Sequence, residues 1–197
     1  MRRRRPALGW KSAPGGVLGL VVCSLVLVAG SSERPRAEAM VASDEALRLA
    51  FPDAQVEPHT VFLSEAQVAL VAERTGRPLA TKLFTYHVAR RAGAIVGYGV
   101  IETHVVRTLP EAFLVVLDPE GSITRVIMLA FYEPPEYRPP DRWLKQFDGR
   151  RTGDARGWRV GREIHGISGA TLTAYAVTDA LRRILLLFDL VVRPGAS

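Results

Sequence analysis

Between Lys82 and Ala130 the chain carries four stretches rich in Val, Ile, Phe, Tyr and Thr: Lys82 to Arg90, Ala94 to Val106, Ala112 to Leu117 and Ile123 to Ala130. Side chains of this kind suit a pleated, half-buried surface, and turn residues separate each stretch from the next. Four consecutive strands joined by short turns predict an antiparallel sheet. Asp118-Pro119-Glu120-Gly121 puts proline and glycine where a tight hairpin wants them. A further strand-like stretch runs from about Gln55 to Leu63.

Helical signals surround this block. Ser43 and Asp44 can cap a short helix that carries Ala46, Leu47, Leu49, Ala50 and Phe51 and is ended by Pro52. Ser64-Glu65-Ala66-Gln67 has the capping-box form and should start a helix to about Arg74, stopped by Gly76 and Pro78. Pro134 to Pro140 reads as a proline-rich loop, after which Asp141 caps a short helix from Arg142 to Phe147. The last helix should span Thr171 to Val191. There Val177, Leu181, Ile184 and Phe188 fall at i, i+4, i+7 and i+11 on one stripe, while Asp179, Arg182, Arg183 and Asp189 lie elsewhere. Such a helix packs on a sheet rather than crossing a membrane. The fold class is therefore α+β: an antiparallel sheet of four or more strands with flanking helices and a long C-terminal helix.

The formal charge of +6 suggests a polyanion partner until its position is considered, because Arg2, Arg3, Arg4, Arg5 and Lys11 supply five of the six charges. The nearly neutral body needs no nucleic acid. Behind these cations, Val17 to Ala29 is free of charge and is followed by Gly30, Ser31 and Ser32. Residues 1–32 thus read as a signal peptide or membrane anchor, residues 33–42 as a linker and residues 43–192 as the folded domain. Positive charge on the N-terminal side sends the rest across the membrane, to a periplasmic or extracytoplasmic location. Cys23, the sole cysteine, is one more apolar residue of that run. The body has no thiol for a disulfide, a CxxC zinc site or an iron–sulfur cluster. His59, His87 and His104 are scattered without metal-ligand spacing, so no metal site is expected.

Chemistry concentrates in Ile164 to Ala174, a short β-like piece running into the long helix. A helix start exposes N–H groups without intrahelical partners and the positive end of the macrodipole, which stabilises a bound phosphate. Gly169 allows close approach to the backbone, and Ser168 and Thr171 offer hydroxyls. The plainer alternative is that Ser168 is the helix N-cap and Gly169 a turn residue.

Ser168-Gly169-Ala170-Thr171-Leu172-Thr173 resembles the flavinylation motif of FMN-binding domains, those of the FMN-carrying subunits of Rnf-type complexes and of sodium-translocating quinone reductase. Other matches follow in the family's order: Gly97-Tyr98-Gly99, the hairpin from Val115 to Val126, Glu133-Pro134-Pro135, Trp143, Gln146-Phe147 and Gly149. The likeness covers roughly residues 85 to 188. It implies FMN joined to Thr171 by a phosphoester bond, installed after export by a flavin transferase that uses FAD and magnesium. Two positions depart from the family pattern. His165 stands six residues before Thr171, where an acid is usual, and Glu133-Pro134-Pro135-Glu136 replaces the usual Glu-Thr-Pro-Gly.

Around this motif, Ser168, Gly169, Ala170 and Thr173 are expected to line the cofactor. Glu133 could hydrogen-bond the ring or ribityl chain, or be a solvated loop acid. Tyr132, Tyr137, Trp143 and Phe147 could pack against the ring or belong to ordinary core and loop packing. Arg107, at the end of an apolar strand, could contact phosphate or simply finish the strand in solvent. The reading is an exported FMN-binding electron-transfer protein that works with membrane-associated redox partners, a carrier more than an enzyme. The alternative is a noncovalent FMN or phosphate-ligand binding module with a sensory or scaffolding role.

Overall fold

A computed structural model describes residues 43–155 and 157–193 of the chain; the expected leader and linker lie outside the described residues. Five strands, β1 (Gln55–Phe62), β2 (Leu83–Arg91), β3 (Ala94–Val105), β4 (Pro110–Leu117) and β5 (Ile123–Phe131), form one antiparallel sheet in the order β1-β2-β3-β4-β5. The helices are α1 (residues 43–50), α2 (Glu65–Thr75), α3 (Asp141–Leu144), α4 (Thr152–Ala155) and α5 (Thr171–Val191). The α+β architecture and the long C-terminal helix agree with the sequence pattern.

Local chemistry explains most boundaries. Ser64 Oγ accepts from the Gln67 N–H at 3.2 Å while Gln67 Oε1 accepts from the Ser64 N–H at 2.9 Å, the reciprocal pair of a capping box. At the Asp118 turn the Gly121 N–H donates to Asp118 O at 3.0 Å, and Asp118 Oδ1 accepts from the Ser122 N–H at 2.8 Å. Around the proline-rich loop, three details differ from expectation. The proline-rich loop contains a 3-10 turn, Pro135–Tyr137. Asp141 is the first residue of α3 rather than its cap, since Pro140 occupies the N-cap without a side-chain hydrogen bond; Asp141 still places its charge at the positive end of the helix. Beyond α3 the chain tightens into a second 3-10 turn, Lys145–Phe147.

Both faces of the sheet are covered. Along β4, Phe113, Val115 and Leu117 join the cluster that contains Val177, Leu181, Ile184 and Phe188 of α5, whereas Leu114 and Val116 join Leu47, Phe51 and Ala89 on the other side. This is the period of two expected of a strand, here buried on both faces. The α5 stripe is at most 1% exposed, and burying a side chain of this size contributes about 1.5–3 kcal/mol.

Gly97-Tyr98-Gly99 follows the same alternation. Tyr98 points toward α5, where its ring meets Phe188 edge-on at 4.9 Å between centroids. The two glycines face α1: a Cβ on Gly99 would stand 2.6 Å from Leu47 Cδ2, and one on Gly97 would stand 2.6 Å from Leu117 O. The missing side chains leave the space that Leu47 and Phe51 occupy. Gly99→Ala should therefore destabilise the domain by about 1–3 kcal/mol, the range for overpacking. Gly97→Ala should cost more, because its clash is with backbone instead of a side chain that can turn. Urea denaturation of the two variants checks the order.

Candidate functional site

Helix α5 begins without a side-chain cap: Ala170 holds the N-cap position at φ −124 and makes no such hydrogen bond. Ser168, two residues earlier, is exposed and is not the cap. Gly169 adopts φ +78, and a Cβ there would meet nothing within 4 Å. The glycine is thus required by its left-handed backbone and not by crowding. This turn leaves Thr171 exposed in the first turn of the helix, beside the first helical N–H groups. Ala170 and Thr173 face inward, 3% and 1% exposed.

A cavity of about 230 Å³ opens beside these residues, lined by Gly169 to Thr173 together with Arg107 and Tyr137. Arg107 lies over the Tyr137 ring, its Cζ 5.2 Å from the centroid. Both residues come from segments distant in sequence from the motif. The sequence offers Arg107 as a phosphate contact or a solvated strand end, and Tyr137 as a ring contact or ordinary packing.

Glu133 is what holds Arg107 there. Its Oε1 accepts from the backbone N–H groups of Thr108 at 2.7 Å, Leu109 at 2.8 Å and Arg107 at 3.2 Å. The Thr108 and Leu109 amides, with that of Arg107, hold its carboxyl below the usual range against the opposing effect of burial. Glu133 is neither a solvated loop acid nor free at that oxygen; it is the tie for the loop between β3 and β4.

Trp143 also bonds to backbone. It is buried, packs edge-on against Phe147 at 5.3 Å, and donates its Nε1–H to His165 O at 2.6 Å. Gln146 Oε1 accepts from the His165 N–H at 2.8 Å, and Gln146 Nε2 donates to Trp143 O at 2.9 Å. Both backbone groups of His165 are therefore held by α3 and the turn after it, while the residue itself is exposed. Tyr132 stands about half exposed at the end of β5 and does not line the cavity.

One cluster was not anticipated. The register of β3 and β4 sets His104 opposite Glu111, which is fully buried. His104 Nε2 is 2.8 Å from Glu111 Oε1 and Nδ1 is 3.5 Å from Glu102 Oε1, near enough for ion pairing though not aligned as hydrogen bonds. Arg183 of α5 pairs with Glu102. Burial opposes charge on His104, but Glu102 and Glu111 outweigh it and hold its pKa up to about 9. The cluster ties the α5 helix to the two strands whose connecting loop carries Arg107.

The FMN-binding domain profile matches residues 110–186. Two proteins named as a subunit of an ion-translocating oxidoreductase complex, from two strains of Cereibacter sphaeroides, are each 30% identical over 209 aligned positions, covering 94% of this chain and 89% of the relative. The residues present suit an FMN phosphate. An uncapped 21-residue helix offers N–H donors and a positive dipole end, Arg107 offers a guanidinium, and the glycine at 169 leaves the approach open.

Two outcomes follow from this geometry. In Glu133→Ala the amides of Arg107, Thr108 and Leu109 should exchange with solvent deuterium markedly faster, with the strand interiors unchanged. The stability that His104 contributes should be complete below about pH 6.5, its ordinary pKa, and be lost as the pH rises through about 9. The difference in unfolding free energy between wild type and His104→Gln, measured by urea denaturation from pH 6 to 10, should shrink across that window.

Proposed function

The chain belongs to the FMN-binding domain family, whose cofactor is FMN, and from that premise we propose that it is an exported electron-transfer subunit that carries its flavin on Thr171. The observation that carries this reading is the exposed Thr171 hydroxyl at an uncapped helix start, facing the cavity of Arg107 and Tyr137. Attachment joins Thr171 Oγ1 to the phosphorus of the FMN half of FAD. The diphosphate P–O bond breaks, AMP leaves, and the hydroxyl proton passes to solvent or to a base of the transferase. Thr171 is accessible to such an enzyme, as are Ser168 and Gly169 beside it.

Bound FMN supplies the redox chemistry, passing electrons singly or in pairs. The chain's own residues hold and orient it. The first amides of α5 would donate to the phosphate and Arg107 would balance its charge, while Glu133 fixes the Arg107 loop and Trp143 with Gln146 fixes the segment that enters the motif. A covalent link suits a protein on the outer side of a membrane, where little free FMN is available to replace a lost cofactor. The cationic residues 2–11 ahead of the apolar run support export, and the name of the relatives supports partners within an ion-translocating oxidoreductase complex. No helix among the described residues is long and apolar enough to cross a membrane.

Co-expression with a flavin transferase in an exporting host tests the linkage. After denaturation the peptide containing Thr171 should be heavier by FMN less water and should fluoresce as a flavin. Thr171→Val should remove the attached flavin and leave the urea midpoint unchanged within about 0.5 kcal/mol, as befits an exposed position. Flavin released by denaturation of the wild type would instead indicate noncovalent binding, and covalent flavin retained in Thr171→Val would refute the assignment.

A further inference from the structure

One turn along α5 from Thr171, a second and larger cavity of about 430 Å³ opens, lined by Trp158, Arg159, Arg162, Tyr175, Asp179 and Arg182 among others. Its charge is unbalanced. Asp179 is its single acid, and that carboxylate is shared: Oδ1 lies 3.6 Å from Arg182 Nη1 and Oδ2 lies 3.5 Å from Arg77 Nη2. Arg182 is further held by donation from Nε to Ala155 O at 3.1 Å. Among the described residues, no carboxylate lies within ion-pairing distance of the Arg159 or Arg162 guanidinium. Arg150 adds a further cation nearby, its Cζ 5.4 Å from the centroid of the Trp158 ring.

The two unpaired arginines stand on a fixed turn. The Arg162 N–H donates to Arg159 O at 3.0 Å, the Ile164 N–H donates to the same oxygen at 3.2 Å, and the Gly161 N–H donates to Ile164 O at 2.8 Å. Glu163, the acid within this turn, has Oε2 taken up by the Arg159 backbone N–H at 3.2 Å, and its carbonyl accepts from Arg150 Nη2 at 3.1 Å. Trp158 is 3% exposed, and its buried Nε1–H has no acceptor among the described residues. A buried donor without an acceptor is costly unless a ligand or water supplies one.

We propose that this cavity is a second anion site that binds a dianionic phosphate, the group carried by a phosphomonoester. The three lining arginines less Asp179 leave two positive charges, which match the charge of −1.5 to −2 typical of a phosphomonoester near neutral pH. Guanidinium groups hold phosphate oxygens in pairs, and the volume lies within the range usual for small-ligand pockets. The phosphate can belong to a soluble metabolite or to a lipid headgroup. The site is distinct from the Thr171 cavity and does not depend on flavin attachment.

The test uses the full chain in detergent with inorganic phosphate and glycerol 3-phosphate as calorimetric probes, and vesicles with and without phosphatidic acid as a flotation arm. Saturable binding of the soluble probes, weakened about tenfold or more in the double variant Arg159→Gln/Arg162→Gln, supports a metabolite source. Arginine-dependent flotation with phosphatidic acid, and no binding of the soluble probes, supports a lipid source. Thr171→Val should bind as wild type does, so failure of the flavin assignment leaves this result intact. Absence of binding in both arms, or binding unchanged in the double variant, overturns the proposal.

Discussion

The α5 helix can bury its apolar stripe against the sheet in only one rotation, and that rotation decides what its first turn faces. Val177, Leu181, Ile184 and Phe188 are essentially excluded from water, so turning the helix would exchange them for Asp179, Arg182 and Arg183. With the stripe inward, Thr173 and Ala174 lie beneath the start of the helix and Thr171 lies on its outer side. A core-packing constraint thereby sets the direction of a hydroxyl that takes no part in the core. The Arg183–Glu102 pair and the buried His104–Glu111 contact reinforce the same placement from the strand side.

Around that fixed helix, the polar residues of the neighbourhood act mostly through backbone. Glu133 Oε1 accepts from three consecutive amides and so holds the loop that carries Arg107. Trp143 and Gln146 grip the carbonyl and amide of His165 three residues ahead of Ser168. The segments that carry Arg107 and lead into Ser168 are thus each tied by hydrogen bonds, the kind of preorganisation a bound cofactor needs. The departure at residue 165 is compatible with this arrangement, because what the neighbours hold is backbone and not the imidazole.

Local signals in the sequence carried the elements: the capping box at Ser64, the Asp118 turn, the stripe of α5 and the motif at its start all depend on residues within a few positions of one another. What depended on long-range register was not legible. Taking β4 to begin at Ala112 left Glu111 in a turn, whereas the strand begins at Pro110 and sets Glu111 against His104. Trp143 reads as an aromatic beside a proline-rich loop, and its hydrogen bond to His165, 22 residues away, leaves no mark in local sequence. Arg107 and Tyr137 are about 60 and 30 residues before the motif, so nothing in their spacing marks them as its neighbours.

A crystal structure of the flavin-loaded protein tests the central claim most directly. Continuous density should run from Thr171 Oγ1 to a phosphate seated on the first amides of α5, with the Arg107 guanidinium within hydrogen-bond distance of a phosphate oxygen. Density joined to another residue, or a phosphate turned away from the helix start and from Arg107, would contradict it.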